Sequence, residues 1–516
     1  MRNISVRART VFYIAALIAV LPVTPVGIGA ASAQSVRTDV NQRAADGSTP
    51  LQWAVYEGNI AEVRRVLKAG ADVSLANNYG ATPMGLAAEV GNAEIIKLLL
   101  EAGAKADSPN PEGQTALLAV ARTGNVEAAE LLVKYGATVD ARERWGGQTA
   151  LMWEAARRRP QMMQLLISKG ADVNARSINR DYQRHVTAEG RPKNLDSGGL
   201  TPLLYAAREN CLACVEVLLR NGADIDLPDP DGVSPLLLAI MNANWDLAKQ
   251  LILAGANVDQ WDMFGEAPLF TAVGLRNQVS GGRASIDSLN ETDGLTIVRM
   301  LLERGANSNM QLFFRPANVR GSTNTRGSTP LIRAAANADL EVINLLLKYG
   351  ADVNLSMADR QTAMMAVLAG RASEKQALEM ISVLHEAGAD VNVIALVNHR
   401  EDSRGGTALH YAVRKRYKEV IKKLAAYGIN MNAKDQDGLT ALDYTQSRGF
   451  MPFMALQTPV YKDVAALLRE LGASVEFARS PEWPVLGPPQ GVEEDIWPLG
   501  DERVYEPFYK HLPTSN

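Results

Sequence analysis

A fixed spacing of glycine residues is the strongest constraint on how this 516-residue chain folds. Eleven glycines each end a leucine-rich stretch, and every one except Gly428 is followed by alanine: Gly70, Gly103, Gly136, Gly170, Gly222, Gly255, Gly305, Gly350, Gly388, Gly428 and Gly472. The spacing is 33 residues where no insertion intervenes, as from Gly70 to Gly103. A period of this length predicts a solenoid, because each unit must stack on its neighbours to bury its apolar face.

A threonine motif lies between successive glycines and marks the start of a helix in each unit. It reads Thr-Pro-Leu or Thr-Ala-Leu, as at Thr201-Pro202-Leu203. Threonine caps a helix by accepting a bond from a free backbone N–H, and proline fits the next position because its missing N–H needs no partner there. A second leucine-rich helix follows and ends at the left-handed glycine. Each unit is therefore predicted to hold two helices, followed by a turn such as residues 229–232.

These motifs resemble those of one known family. "GSTPLIRAAANADLEVINLLLKYGADVN" (327–354) resembles an ankyrin repeat, and the segment 405–432 keeps the family's histidine as His410. Eleven units begin near residues 47, 80, 113, 147, 199, 232, 265, 327, 360, 405 and 438. The resemblance implies an all-α ankyrin repeat solenoid over residues 47–476, built of helix-turn-helix units with β-hairpin fingers. Residues 34–46 are predicted to be a linker that holds the finger of a truncated repeat.

The N-terminal segment has the pattern of a secretory signal peptide. Residues 1–33 combine three arginines, an apolar run from Val11 to Val23 and the sequence Ala31-Ser32-Ala33 ahead of a predicted cut before Gln34. The apolar run is shorter than the roughly 20 residues that a membrane-spanning helix needs, and no later segment is apolar enough. The insertion pattern also resembles that of secreted bacterial ankyrin proteins. A periplasmic or secreted protein, with no transmembrane segment in the mature chain, is therefore expected.

Segments that depart from the repeat period are predicted to be loops or a tail. Insertions occupy residues 176–198, 277–294, 310–326 and 394–404, and they are either neutral loop growth or loops that overhang a binding face. The tail, residues 477–516, is rich in proline, acid and aromatic residues. We expect the tail to cover the apolar face of the last repeat, with a disordered peptide as the alternative.

The charge balance argues against two classes of partner. The chain has 53 basic and 57 acidic residues, and removal of a signal with three arginines and no acid changes its net charge from −4 to −7. A nucleic-acid-binding protein normally carries a basic surface, so no nucleic-acid partner is expected. Docking on anionic lipid is equally disfavoured. A monomer is expected.

No catalytic or metal-binding motif is present. The five histidines are scattered, no nucleophile or phosphate-binding motif occurs, and residues 229–232 lack the downstream glutamate of a calcium loop. Neither a catalytic residue nor a cofactor or metal is therefore predicted. Glu154 is unusual because it replaces a small residue inside a first helix, and it is expected to reach an arginine or water.

The only two cysteines form a Cys-x-x-Cys motif in the fifth repeat. Cys211 and Cys214 lie where the first helix turns into the second, and cysteines with this spacing can form a disulfide. A thioredoxin-type centre also needs a βαβ unit, and a zinc site needs two more ligands. The pair is therefore predicted to be structural, either reduced or joined by a disulfide.

The resemblance implies binding of a protein or peptide in a concave groove. In ankyrin proteins the groove is lined by finger tips and by the exposed end of each first helix. Carried over to this sequence, the candidate partner-binding residues are Tyr56, Tyr79, Arg122, Trp145, Arg157, Arg208, Trp261, Met263, Phe264 and Arg414. Aromatic residues and arginine often dominate interface energies, although finger aromatics can instead pack on neighbouring fingers.

The function expected from the sequence is that of an exported, non-enzymatic scaffold that binds a protein or peptide partner. An alternative is an envelope redox or stress accessory that assists an exported enzyme. A true enzyme ranks third.

Overall fold

The structure, a computed structural model, describes residues 39–179, 198–276, 290–313, 326–396, 405–436, 438–445 and 461–474. Within these ranges 21 α-helices follow one another in pairs, numbered here in chain order. The first helices of the pairs are α1 (Pro50–Tyr56), α3 (Pro83–Val90), α5 (Ala116–Thr123), α7 (Ala150–Ala156), α9 (Pro202–Arg208), α11 (Pro235–Met241), α13 (Pro268–Arg276), α15 (Pro330–Ala336), α17 (Ala363–Ala369) and α19 (Ala408–Lys415).

The second helices have similar lengths, apart from a longer α18. They are α2 (Ile60–Lys68), α4 (Ala93–Glu101), α6 (Val126–Lys134), α8 (Pro160–Ser168), α10 (Leu212–Arg220), α12 (Trp245–Leu253), α14 (Gly294–Glu303), α16 (Leu340–Lys348), α18 (Glu374–Glu386), α20 (Lys418–Ala426) and α21 (Lys462–Glu470). A short 3-10 helix, Asp443–Thr445, takes the place of the first helix before α21. The helix pairs confirm the predicted solenoid.

The structure contains the predicted helix caps and the left-handed glycine that follows a second helix. The Thr82 hydroxyl accepts a hydrogen bond of 3.1 Å from the Gly85 amide at the start of α3. The Asn92 side chain caps α4 in the same way, at 3.1 Å from the Ile95 amide. Gly103 follows α4 with φ +92°, a conformation that costs glycine little and other residues more. Caps and left-handed glycines of this kind therefore mark the ends of many helices in the array.

The apolar faces of the helices form one continuous core along the array. First helices pack on the first helices of adjacent repeats, and second helices pack on second helices. Leu51, Leu99 and Leu166 are completely buried in this way. Each unit obtains its core from its neighbours, so stability is expected to depend on nearest-neighbour contacts.

A ladder of side-chain hydrogen bonds joins the fingers. The Asn174 amide oxygen accepts from the Asp224 backbone at 2.8 Å, and Asp259 accepts from Asn307 at 2.8 Å. These partners are 50 and 48 residues apart because an insertion lies between them, yet they form the same bond as adjacent repeats. Asn41 likewise accepts from the Asp72 amide at 2.8 Å. The stack therefore continues across the insertions, and residues 39–41 form the first finger.

The fingers themselves are narrow hairpins. Isolated antiparallel bridges join Ser356 to Thr362, Lys434 to Thr440 and Ala395 to Gly406. In the ranges described, these bridges do not extend into a longer strand ladder.

The predicted signal peptide (1–33) and the tail (477–516) lie outside the described residues, as do most of the insertions 176–198, 277–294, 310–326 and 394–404. Among the described residues, the structure contains no helix with the length and hydrophobicity that a membrane span requires.

Candidate functional site

Finger tips and the exposed sides of the first helices lie on one face of the array. Tyr79 at the second finger and Leu86 and Glu89 on α3 line a single recess. We call this face the groove, defined by the finger tips together with the first-helix residues Tyr56, Glu89, Arg122, Arg157 and Arg208. Lys97 on the second helix α4 does not line this recess and lies 4.0 Å from Glu101 of the same helix.

Large aromatic side chains are exposed along the N-terminal half of the groove. Tyr79 is 76 % exposed and Trp145 is 71 % exposed at their finger tips, and Tyr56 is 53 % exposed at the end of α1. Trp53, which the sequence analysis did not select, packs edge-on against Tyr56 with ring centroids 6.2 Å apart. The sequence could have indicated this contact, because Trp53 precedes Tyr56 by three residues and residues with that spacing are neighbours on a helix.

Arginines in consecutive repeats form a cationic stripe beside these aromatics. Arg122 on α5 forms an ion pair with Glu89 of the preceding repeat. Burial, followed by the nearby positive charge of Arg157, lowers the pKa of Arg122. Arg157 and Arg208 are exposed and lie over the rings of Trp153 and Tyr205, at 5.9 and 5.0 Å. Such cation–π contacts hold the guanidinium groups in place.

The seventh finger is packed differently from the second. Trp261 is half-buried, and its ring contacts Phe313 of the next finger at 5.3 Å in an edge-on arrangement. Met263 and Phe264 are also half-buried, and the Phe264 carbonyl accepts a hydrogen bond of 3.1 Å from the Phe313 amide. At this finger, aromatic packing between neighbours replaces the exposure seen at Tyr79.

Arg414, near the C-terminal end, is engaged within the chain. Its guanidinium donates to the Tyr444 hydroxyl at 3.0 Å and lies 4.8 Å from the Tyr444 ring. It also lies over the Tyr411 ring at 5.2 Å. Arg414 therefore stabilises the junction between the last two repeats as well as lying at a groove position.

Two carboxyl groups have strongly raised pKa values, and burial explains both. Glu154 is completely buried, which raises its pKa to about 8, and its carboxylate lies 3.8 Å from the Arg159 guanidinium. Burial raises the pKa of Asp262 to about 6, and its carboxylate accepts from the Phe264 and Glu266 amides at 2.9 Å. Raised pKa values are typical of catalytic groups but also occur in structural networks, and here both carboxyl groups are buried. Both groups are part of the scaffold.

Metal chemistry finds no support in the described ranges, where no three acidic, histidine or cysteine side chains lie close enough together to hold an ion. The Asp229 carboxylate accepts from the amides of Asp231 and Val233, at 2.9 and 2.8 Å, and so closes a finger turn. His410 is buried between Thr407 and the Leu439 carbonyl.

The two cysteines are joined by a disulfide. Cys211 occupies the capping position of α10, and its sulfur accepts from the Cys214 amide at 3.2 Å. Cys211 is 5 % exposed and Cys214 is completely buried. The pair therefore takes the structural role that asparagine has at Asn92.

Comparison with known proteins places these repeats in a family. A family model described as ankyrin repeats (3 copies) matches residues 29–110, 87–177, 203–280, 290–395 and 371–475, well over half of the chain. The chain is also similar to the solved ankyrin repeat domain of Bcl-3, a member of the IkappaB protein family, with 28% identity and a TM-score of 0.38 over 44% of this chain and 94% of that one. It is similar to the human ASB11 ankyrin repeat domain as well, with 20% identity and a TM-score of 0.38 over 50% of this chain and 99% of that one. Since the matched segments fall on the same units that the helix pairs define, the chain belongs to the ankyrin repeat family.

Proposed function

We propose that this protein is an exported, non-enzymatic scaffold that binds a protein or peptide partner through the groove. Ankyrin repeats generally mediate protein–protein interaction. The observation that carries the proposal is the exposure of Tyr56, Tyr79 and Trp145 on one face, beside the stripe of Arg122, Arg157 and Arg208.

The effect of exposed aromatic side chains on solubility supports their assignment to a binding surface. Exposed apolar surface lowers solubility, and contiguous patches of it mark interaction sites in most soluble proteins. Aromatic rings and guanidinium groups bring large contact areas and directional hydrogen bonds, so they dominate the energies of many interfaces. A protein or peptide segment lying along the groove would cover the aromatic side chains and meet the arginines with acidic or carbonyl groups.

Export is supported by the N-terminal signal pattern and by the disulfide. Disulfides persist in oxidising compartments, such as the bacterial periplasm, and are uncommon in the cytosol. We expect the mature protein to begin at Gln34, and intact-mass measurement on exported protein tests this. Retention of residues 1–33 would contradict a periplasmic or secreted location.

The alternative role, that of a redox accessory, gains no support from the cysteine pair. Thiol–disulfide exchange requires access of an attacking thiolate to a sulfur atom, and both cysteines are buried. The binding role is therefore favoured over redox assistance.

Position-specific crosslinking tests the groove directly. A photoreactive phenylalanine analogue is placed at Tyr79, and a second variant carries it at Lys97 outside the groove. We expect the Tyr79 position to crosslink a partner and the Lys97 position to give little product. Equal crosslinking from both positions, or product from Lys97 alone, would contradict binding through the groove.

A further inference from the structure

One helix position is filled by a buried side chain in every helix pair except the second. It is the third residue after the cap of the first helix, and its occupants are Gln52, Gly85, Leu118, Met152, Leu204, Leu237, Phe270, Ile332, Met365 and His410. Apart from Gly85, each of these residues is at most 3 % exposed. In the second repeat, therefore, the place of a large buried side chain is left open.

A cavity of about 190 Å³ lies where that side chain would be. A Cβ atom added to Gly85 would meet only the Thr82 hydroxyl, at 3.4 Å, so the space above the glycine is open. Cavities of about 150 Å³ in other proteins accept a molecule as large as benzene. The cavity opens into the groove between the second and third fingers, and Tyr79, Leu86, Pro111 and Glu112 are among the residues that line it.

Hydrogen bonding in other repeats shows what the missing side chain does. Gln52 Nε2 donates to the carbonyls of Ala81 and Leu75, at 2.6 and 3.3 Å. His410 Nε2 makes the corresponding contact with the Leu439 carbonyl at 3.2 Å. The occupant of this position can therefore tie a first helix to the following finger by donating hydrogen bonds to its carbonyl groups.

The same acceptors recur one repeat later without a donor from the helix. Ser108 and Gln114 lie 33 residues after Leu75 and Ala81, and both line the cavity. The Gln114 carbonyl accepts from the Asn110 amide in the same way as the Ala81 carbonyl accepts from the Asn77 amide, at 3.0 Å in both, so the two fingers share this geometry. Gly85 offers these carbonyls no side-chain donor. A ligand that fills the cavity is thus favoured if it brings N–H groups.

Charge at the cavity favours a cationic donor. Glu89 and Glu112 are the charged residues that line it, and both are exposed at its rim. Arg122 forms an ion pair with Glu89, and Arg144 donates to the Pro111 carbonyl at 3.0 Å, but neither arginine lines the cavity. In the described part of the chain no basic side chain forms an ion pair with Glu112.

We infer that this cavity, the Gly85 pocket, receives an arginine side chain of the partner. The guanidinium group has five N–H donors, enough to meet the finger carbonyls and Glu112 together. Its aliphatic stem would pack on Leu86 and Pro111, with the Tyr79 ring providing a cation–π surface. This inference rests on the proposed function, because it names the side chain that one part of the groove selects.

Short peptides test the pocket without knowledge of the natural partner. The probe is acetyl-Ala-Ala-Arg-Ala-Ala-amide, compared with peptides that carry citrulline or leucine in place of arginine. Binding is followed by NMR shifts of the Gly85 and Leu86 amides. We expect saturable binding of the arginine peptide, and affinity for the citrulline peptide weaker by roughly tenfold or more, as loss of a charged hydrogen bond implies. Failure of the arginine peptide to saturate, or equal binding of the leucine peptide, would overturn the inference.

Gly85→Gln provides the matching protein variant. The new side chain should reproduce the bonds of Gln52, fill the pocket and abolish arginine-peptide binding, while the unfolding midpoint stays the same or rises. Lys97→Gln, in the same repeat but outside the groove, should bind the peptide like the original protein. Glu112→Gln should weaken binding by roughly tenfold.

Undiminished peptide binding by Gly85→Gln would contradict the inference. If the arginine peptide does not bind while the Tyr79 position still crosslinks a partner and the Lys97 position does not, this inference is wrong and the proposed function stands.

Discussion

The guanidinium group of Arg159 lies 3.8 Å from the completely buried carboxylate of Glu154, inside the fourth repeat. Both residues depart from the repeat pattern: other first helices have small residues such as Ala87 at the position of Glu154, and Asn92 caps α4 where Arg159 precedes α8. Arg159 also donates to the carbonyls of Ala121 and Arg122, at 2.9 and 3.0 Å. Arg159 thus connects the third repeat to the fourth and brings a positive charge near the buried carboxyl group, whose oxygens make no hydrogen bond.

The first prediction concerns the pH dependence of this pair. Burial raises the pKa of Glu154 from 4.5 to about 8. The folded state therefore holds a proton that the unfolded state releases, and stability falls as pH rises from about 4.5 to 8. Glu154→Gln removes this dependence and should stabilise the array at pH 8 by on the order of 4 kcal/mol. Hydrogen exchange in α7 and α9 at pH 5 and 8 measures it, with the exposed Glu130→Gln as the control. An unchanged pH profile in Glu154→Gln would contradict the burial argument.

The second prediction separates two finger aromatics by their effect on stability. Trp261→Ala removes the ring contact with Phe313 and should lower the free energy of unfolding by about 1 kcal/mol beyond the loss of buried area. Tyr79→Ala, at a 76 % exposed side chain, should leave the unfolding midpoint within the small range typical of surface changes. Urea unfolding measures the free energy of unfolding of both variants. Equal destabilisation would show that Tyr79 also supports the fold.

The third prediction concerns the disulfide. Cys211→Ala with Cys214→Ala removes both the crosslink and the helix cap, and the short closed loop limits the crosslink's contribution to about 2 kcal/mol. Cys211→Asn with Cys214→Ala restores the cap found at Asn92 and should regain about 1 kcal/mol. Denaturant unfolding compares the two variants, and partner affinity should be the same in both. Loss of binding by a folded double variant would instead favour the redox alternative.

The sequence predicted the fold well because its signals are local. A capping threonine, a left-handed glycine and leucines at helical spacing each act within a few residues, as Thr82 and Gly103 show. Contacts between side chains within the protein were harder to predict. Phe313, which packs on Trp261, lies inside an insertion that has no repeat to align with. The sequence indicated that Glu154 would reach an arginine, but three arginines follow in succession and only the structure selects Arg159.

The Gly85 pocket was missed because its signal is the absence of a side chain. Searching for chemically active residues passes over a glycine within a helix. Comparison of the third position after each cap would have found it, since Gln52 and His410 donate hydrogen bonds from that position. In a repeat protein, a binding pocket can thus be indicated by a position where one repeat lacks the buried side chain that the other repeats have.

Partner affinity of two groove variants and one outside variant tests the binding proposal most directly. Once a partner is identified by crosslinking from Tyr79, its dissociation constant is measured by calorimetry for Tyr56→Ala, Trp145→Ala and Lys97→Ala. Tyr56 and Trp145 are exposed in the groove and do not line the Gly85 pocket. We expect at least one groove variant to bind roughly thirtyfold more weakly, as loss of an interface anchor of about 2 kcal/mol implies, and Lys97→Ala to bind like the original protein. Unchanged affinity in both groove variants, with their folds intact, would contradict binding through the groove.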